Sequence, residues 1–354
     1  MAQMIQLQDL LKGYVVDREN IQSVGNMTMI PIIADVEFTN VADVNDVTLK
    51  RDPAYNTLEF QNASGNIGIA LQGWTLIDNN QRAQDRTIPY AHLIKAANAK
   101  LIPANCVQAH QGGHFDASKV DQESFMVLPP SLRGLALKKS TYSSADYSAL
   151  WESLGKWAKG VDCYSNGLQL FYSKFEDKLE QFVAQFEPVE KQLGSIVLIN
   201  GKLVAIDLMP KYKNWNSVWR AIIRDSYGAE AVRVIENEGA INIHPSLDLS
   251  SINTIDDLEE AYENMKNDFY DSLQNMLNQT LQMHVSNTIL DQAGELTMMK
   301  FESDEYTGQG VVHGDEHFVY LSVVNSSSKP SGSRPQQFQS LRRTPYSGTS
   351  FNFR

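Results

Sequence analysis

GSIVLINGKLVAIDL, residues 194–208, leaves few backbone solutions open. Two alternating apolar runs meet at Asn200-Gly201, and that dipeptide supplies the two positive-φ positions of a type I′ turn, the turn whose twist suits paired antiparallel strands. The segment therefore predicts a β-hairpin. An isolated hairpin is marginal in water, so further strands or helices have to cover it.

The rest of the chain supplies both. From Asn26 the runs NMTMIPII, VEFTN, DVTLKR, YNTLEFQN and NIGIALQGWTLID alternate, or are short apolar stretches bounded by Asn, Asp, Gly or Pro. This predicts a strand-rich part over 26–140. Residues 86–110, RTIPYAHLIKAANAKLIPANCVQAH, continue it as two strands, TIPYAHLI and KLIPANCV, flanking a small-residue turn at KAANA. Pro89 and Pro103 suit strand starts or edges, because proline donates nothing to a ladder. Residues 111–145, including MVLPPSLRGLAL, read as loop with short extended pieces.

Helical spacing dominates 145–290. Tyr147, Leu150, Trp151, Leu154 and Trp157 form one stripe, and Phe171, Phe175, Leu179, Phe182 and Phe186 form another that Pro188 stops. Aromatic stripes of this period are core faces first and ligand platforms rarely. A short helix around NSVWRAIIRDSYG is expected to close at Gly228. Thr254 is expected to cap a long helix carrying Leu258, Tyr262, Met265, Phe269, Leu273, Met276 and Leu277. Closing strands over 295–325, ELTMMKFESDE and EHFVYLSVVN, flank TGQG, read as a turn. Residues 1–19 read as an N-terminal arm with a short helix at LQDLLKG. The predicted fold class is α+β, an antiparallel β-rich body with amphipathic helices packed on it.

Charge is unevenly distributed. Residues 1–317 hold all 42 acidic and 25 of the 30 basic side chains, a net −17, whereas the remainder holds five basic residues and no acid. An acidic body excludes a nucleic-acid binder, which needs clustered Lys and Arg against phosphate. No stretch reaches the roughly 18 apolar residues of a transmembrane helix and the first residues lack a signal peptide's pattern, so a cytoplasmic protein away from membranes is expected. Residues 326–354 are rich in Ser, Pro, Gly and Gln and read as a disordered tail. Arg334, Arg342, Arg343, Phe351 and Phe353 make that tail a candidate binding peptide.

Several elements carry a family resemblance. GNMTMIPI at 25–32, QDRT at 84–87 and an IPxxCV at 102–107 set Arg86 and Cys106 twenty residues apart. With the hairpin at 194–208, the Trp-bearing helix and TGQG before EHFVYLSVV, residues 20–325 resemble the ARPP-1 domain family. This chain has Asp85 where the family pattern has Asn, Gln108 where it has Glu, Gln111-Gly112 for Arg-Trp and Gly73-Trp74 for Gly-Glu. The resemblance implies an α+β fold on antiparallel sheet. It also implies an association with ADP-ribosyl-glycohydrolase and phosphatase-type enzymes, hence with NAD or ADP-ribose metabolism.

The candidate ligand-binding residues are Gln84, Arg86, Gln108, His110 and His114. Arg86 could clamp a phosphate or carboxylate through its planar fork, or pair with a structural acid such as Asp78 or Asp85. Cys106 reads as a buried thiol, because His110 four residues on is roughly 13 Å away along a strand. HQGGH places His110 and His114, and HGDEH places His313 and His317, each pair separated by three residues. Imidazoles with Asp315 and Glu316 are a donor set for a divalent ion, although exposed loop histidines are the default for such spacing. No cofactor motif is present.

Two functional classes follow. The first is a binding protein for a nucleotide sugar related to ADP-ribose, catalysis undecided. The second is an interaction protein of a larger assembly, self-associating or docking its basic aromatic tail on a neighbour's acidic body.

Overall fold

The computed structural model describes every residue except 1–3, 79–81, 109–111, 140–149, 160, 162, 164–166, 241–249, 251, 281, 286–288, 315–316 and 327–354. The tail residues Arg334, Arg342, Arg343, Phe351 and Phe353 thus lie outside the described residues, as do His110, Asp315 and Glu316.

The predicted hairpin forms the middle of an eleven-stranded antiparallel sheet. Gln192–Ile199 pairs with Lys202–Leu208, and Asn200 and Gly201 turn with φ of 49° and 75°. Outward on one side lie Met27–Ile33 and then Val15–Val16. On the other lie His317–Asn325, Tyr306–His313, Leu296–Glu302, Gln282–Val285 and finally Met4–Gln6. Residues 4–16 therefore add strands at both edges, with the helix Leu7–Leu10 between them.

Period-two alternation splits the apolar residues of this sheet between two cores. Met27, Met29, Val197, Ile199 and Val324 join the larger cluster, while Ile30, Ile32, Ile196, Leu198, Leu203 and Val323 join a second. The second core is closed by Leu7 and Leu10 and by Phe269, Leu273, Met276 and Leu277 of the helix Ile255–Thr280. Thr254 caps that helix as predicted, through a reciprocal pair with Asp257. The larger core takes in three smaller sheets from the first half of the chain and the helices Pro130–Lys139, Trp151–Lys159, Gly167–Lys174, Glu176–Gln185 and Tyr212–Glu238. No described helix is long and apolar enough to cross a membrane.

Four local expectations are corrected. TIPYAHLI and KLIPANCV do not form a simple pair around KAANA. His92–Ile94 pairs with Gly68–Ala70, Asn98–Pro103 pairs with Thr57–Asn62, and only Arg86–Thr87 and Asn105–Cys106 face each other. Residues 130–139 are a helix rather than loop; it begins at Pro130, where a missing N–H costs nothing. Gly228 does not end its helix. The chain runs from Tyr212–Ala221 through a π-helical turn, Ile222–Gly228, into Ala229–Glu238, and Gly228 is needed because a Cβ there would stand 2.7 Å from the Ile223 carbonyl oxygen. TGQG lies within the strand Tyr306–His313, not in a turn, where Val323 and Phe318 fill the space that Cβ atoms of Gly308 and Gly310 would occupy.

Candidate functional site

Strand register brings together residues that the sequence spreads over sixty positions. Arg86 lies directly opposite Cys106 in a four-stranded sheet, and the end of the strand Val47–Ala54 and the segment 112–115 close over them. Arg86 is 0% exposed. A guanidinium there needs a counter-charge, since desolvation costs several kcal/mol. Asp52 supplies it, and the backbone carbonyls of Ala54 and Gly113 accept from the same fork at 2.7 and 3.3 Å. The acids considered from sequence do other work: Asp78 accepts the N–H groups of Arg82 and Ala83, and Asp85 accepts that of Asp78 at 2.8 Å.

Asp52 is the organising group of this corner. Besides Arg86 it accepts the Phe115 N–H at 2.9 Å and lies 3.3 Å from Nδ1 of His114. The His114 ring stacks on Tyr55, with centroids 5.2 Å apart and planes 15° apart. The Arg86 guanidinium carbon stands 5.2 Å from the same Tyr55 ring. Tyr55 is 44% exposed and the His114 side chain 46%. An exposed aromatic pair is thus seated on a buried ion pair.

The other candidates fall around it. Gln84 donates through Nε2 to the Gln108 carbonyl at 3.0 Å, and both residues are buried. Cys106 is buried with its thiol toward the Tyr55 carbonyl, and burial pushes it up to about 11 against the pull of Arg86, so it is a thiol at neutral pH. His313 and His317 face each other across their hairpin, and Nε2 of His313 meets Glu295 at 2.8 Å. Among the described residues no three metal-ligating side chains converge, so His114, His313 and His317 do not share a donor set.

Asp85 adds a pH dependence. Burial raises its carboxyl to about 7, partly offset by the Asp78 N–H. A raised acid prefers the protonated form when folded, so its stabilisation is complete below about pH 4 and lost as pH rises through 7. Asp85→Asn is expected to match the wild type at pH 4. At pH 8 it is expected to exceed it by up to about 4 kcal/mol in denaturant unfolding. Equal differences at both pH values would refute this reading of Asp85.

A second polar cluster lies inside the larger core. Arg133 of the helix Pro130–Lys139 makes a bidentate pair with Asp207, at 2.8 and 2.9 Å, and donates to Ser322 at 2.9 Å. The Tyr227 hydroxyl donates to Asp207 at 2.6 Å, and Ser195 to Tyr227 at 3.3 Å. All five residues are buried. Sequence reasoning missed them because each comes from a different element, and a lone Ser, Asp or Tyr in an apolar strand or helix carries no spacing signal.

A family match over most of the chain agrees with this architecture. The family model described as ARG and Rhodanese-Phosphatase-superfamily-associated Protein domain, ARPP-1, matches residues 16–324. Comparison with curated proteins and with solved structures found no match. The matched span holds the central hairpin and the strands on either side of it, the Arg86 and Cys106 pair and the Arg133 cluster, and the chain belongs to the ARPP-1 family.

Proposed function

We propose that this protein binds a nucleotide-sugar ligand related to ADP-ribose on the face formed by Tyr55 and His114. The observation that carries the reading is the exposed stack of those two rings on the buried Arg86 and Asp52 pair. A flat, rigidly backed aromatic surface suits a purine, and stacking a base on such a ring is worth roughly 1–3 kcal/mol. Nδ1 of His114 is engaged by Asp52, so Nε2 is the ring atom that would meet a ribose hydroxyl or phosphate oxygen. In this reading Arg86 is a positioning residue whose charge is met by Asp52. Gln84 and Gln108 brace the loop behind it. The family's association with ARG proteins supports the choice of ADP-ribose and NAD as ligands to test.

Thermal unfolding in the presence of ADP-ribose, NAD or AMP tests the proposal. Ligand at one hundred times its dissociation constant adds about 2.7 kcal/mol to the native state, a shift of several degrees. A shift with ADP-ribose that is smaller in Tyr55→Ala at the same ligand concentration is expected. No shift with any of the three would refute the proposal.

A further inference from the structure

The helix Ile255–Thr280 carries one apolar stripe along its length, but the protein body covers only part of it. Phe269, Leu273, Met276 and Leu277 are buried in the second core. Toward the N-terminal end the same stripe continues through Met265, Tyr262, Leu258 and Ile255, with Leu258 40% and Ile255 73% exposed. Asp256, Asp257, Glu259, Glu260 and Glu263 fall in the same stretch of the helix, and its one basic residue, Lys266, is paired with Glu19 and Glu263. An apolar strip this exposed and this acidic on its flanks suits a peptide of the opposite character.

The chain itself contains that peptide. Residues 334–354 carry Arg334, Arg342, Arg343 and Arg354, no acid, and the apolar side chains Phe338, Leu341, Tyr346, Phe351 and Phe353. We propose that this C-terminal segment docks on the exposed stripe of the helix Ile255–Thr280 in the same molecule, its aromatics over Ile255 and Leu258 and its arginines against the flanking carboxylates. Reach favours the intramolecular arrangement. Ser326 is tied to the carbonyl of Glu305 at 2.8 Å, and the 28 residues beyond it span up to roughly 90 Å when extended. A tether of that kind gives an effective concentration on the order of millimolar, which a second molecule at ordinary concentration does not match. The inference does not depend on the ligand reading above.

The test is amide hydrogen exchange of the full chain at two protein concentrations, compared with Arg342→Glu/Arg343→Glu. With the segment docked, amides at 255–265 should exchange at least about tenfold more slowly in the wild type than in the double variant, independently of concentration, while those at 269–277 stay unchanged. Ile255→Glu/Leu258→Glu gives the reciprocal reading, since both positions are exposed and the body should stay folded. Trypsin cleavage after Arg342 and Arg343 should be faster in that variant than in the wild type. Equal exchange at 255–265 together with equal trypsin rates would overturn the proposal. Protection that rises with protein concentration would also overturn it, by assigning the stripe to a second copy.

Discussion

Arg133→Ala is expected to lower the unfolding free energy by about 3–5 kcal/mol, the cost of leaving a buried carboxylate without its partner. Asp207 would keep only the Tyr227 hydroxyl as a side-chain partner, and Ser322 would lose its donor. The loss should spread, because Asp207 lies on the central hairpin, Ser322 on its neighbouring strand, Tyr227 in the π-helical turn and Arg133 on the helix that links them. Arg133→Met combined with Asp207→Leu should cost less than Arg133→Ala alone, since a buried ion pair is worth little against well-packed apolar residues. Denaturant melts of the three proteins check both statements. A loss below about 1 kcal/mol for Arg133→Ala, the range of exposed pairs, would show that Asp207 is solvated and the cluster is not dry.

The second large effect belongs to His92. Its ring packs on Tyr90 at 4.7 Å, its Nε2 has no hydrogen-bond partner among the described residues, and Nδ1 lies 3.8 Å from Asp291. That last distance does not make an ion pair. Burial, reinforced by nearby Lys100, pushes the imidazole down to about 3, so the ring is neutral, and Asp291 is paired by Lys100 at 2.5 Å. A base depressed on folding takes up its proton more readily in the unfolded chain, so stability is full above about pH 6.5 and falls as pH drops toward 3. Relative to His92→Phe, which keeps a ring and cannot titrate, the wild type should lose about 3 kcal/mol between pH 7 and pH 4, and up to about 5 by pH 3. A difference that stays constant with pH would mean that the His92 imidazole takes up its proton as readily in the folded protein as in the unfolded chain.

Legibility in the sequence followed how local the physical cause is. The hairpin at 194–208 and the capped helix after Thr254 were readable because turn chemistry and capping act within a few residues. The stripes at 151–157 and 171–186 became helices for the same reason, since amphipathic faces are written at i, i+3 and i+4. The helix Pro130–Lys139 was hidden because Leu132, Arg133, Gly134, Ala136 and Leu137 are all buried, leaving almost no polar face to set a period. Gly228, Gly308 and Gly310 misled because glycine marks close packing as well as chain breaks, and only the neighbouring element says which. The candidate site was half visible. Arg86, Gln84 and His114 stood out through the family motif and the Gly-rich loop, whereas Asp52 and Tyr55, which contact Arg86 and His114, lie some thirty residues before the first and sixty before the second, at the end of a strand of another sheet and in the turn after it.

In the proposed function the exposed rings of Tyr55 and His114 receive a nucleotide sugar. Calorimetric titration of ADP-ribose into the wild type and into Tyr55→Ala tests it most directly. Saturable one-site binding to the wild type is expected, weakened roughly 5- to 150-fold in Tyr55→Ala by the loss of one stacking surface. Equal affinities in the two proteins, or heats no different from dilution in the wild type, would contradict it.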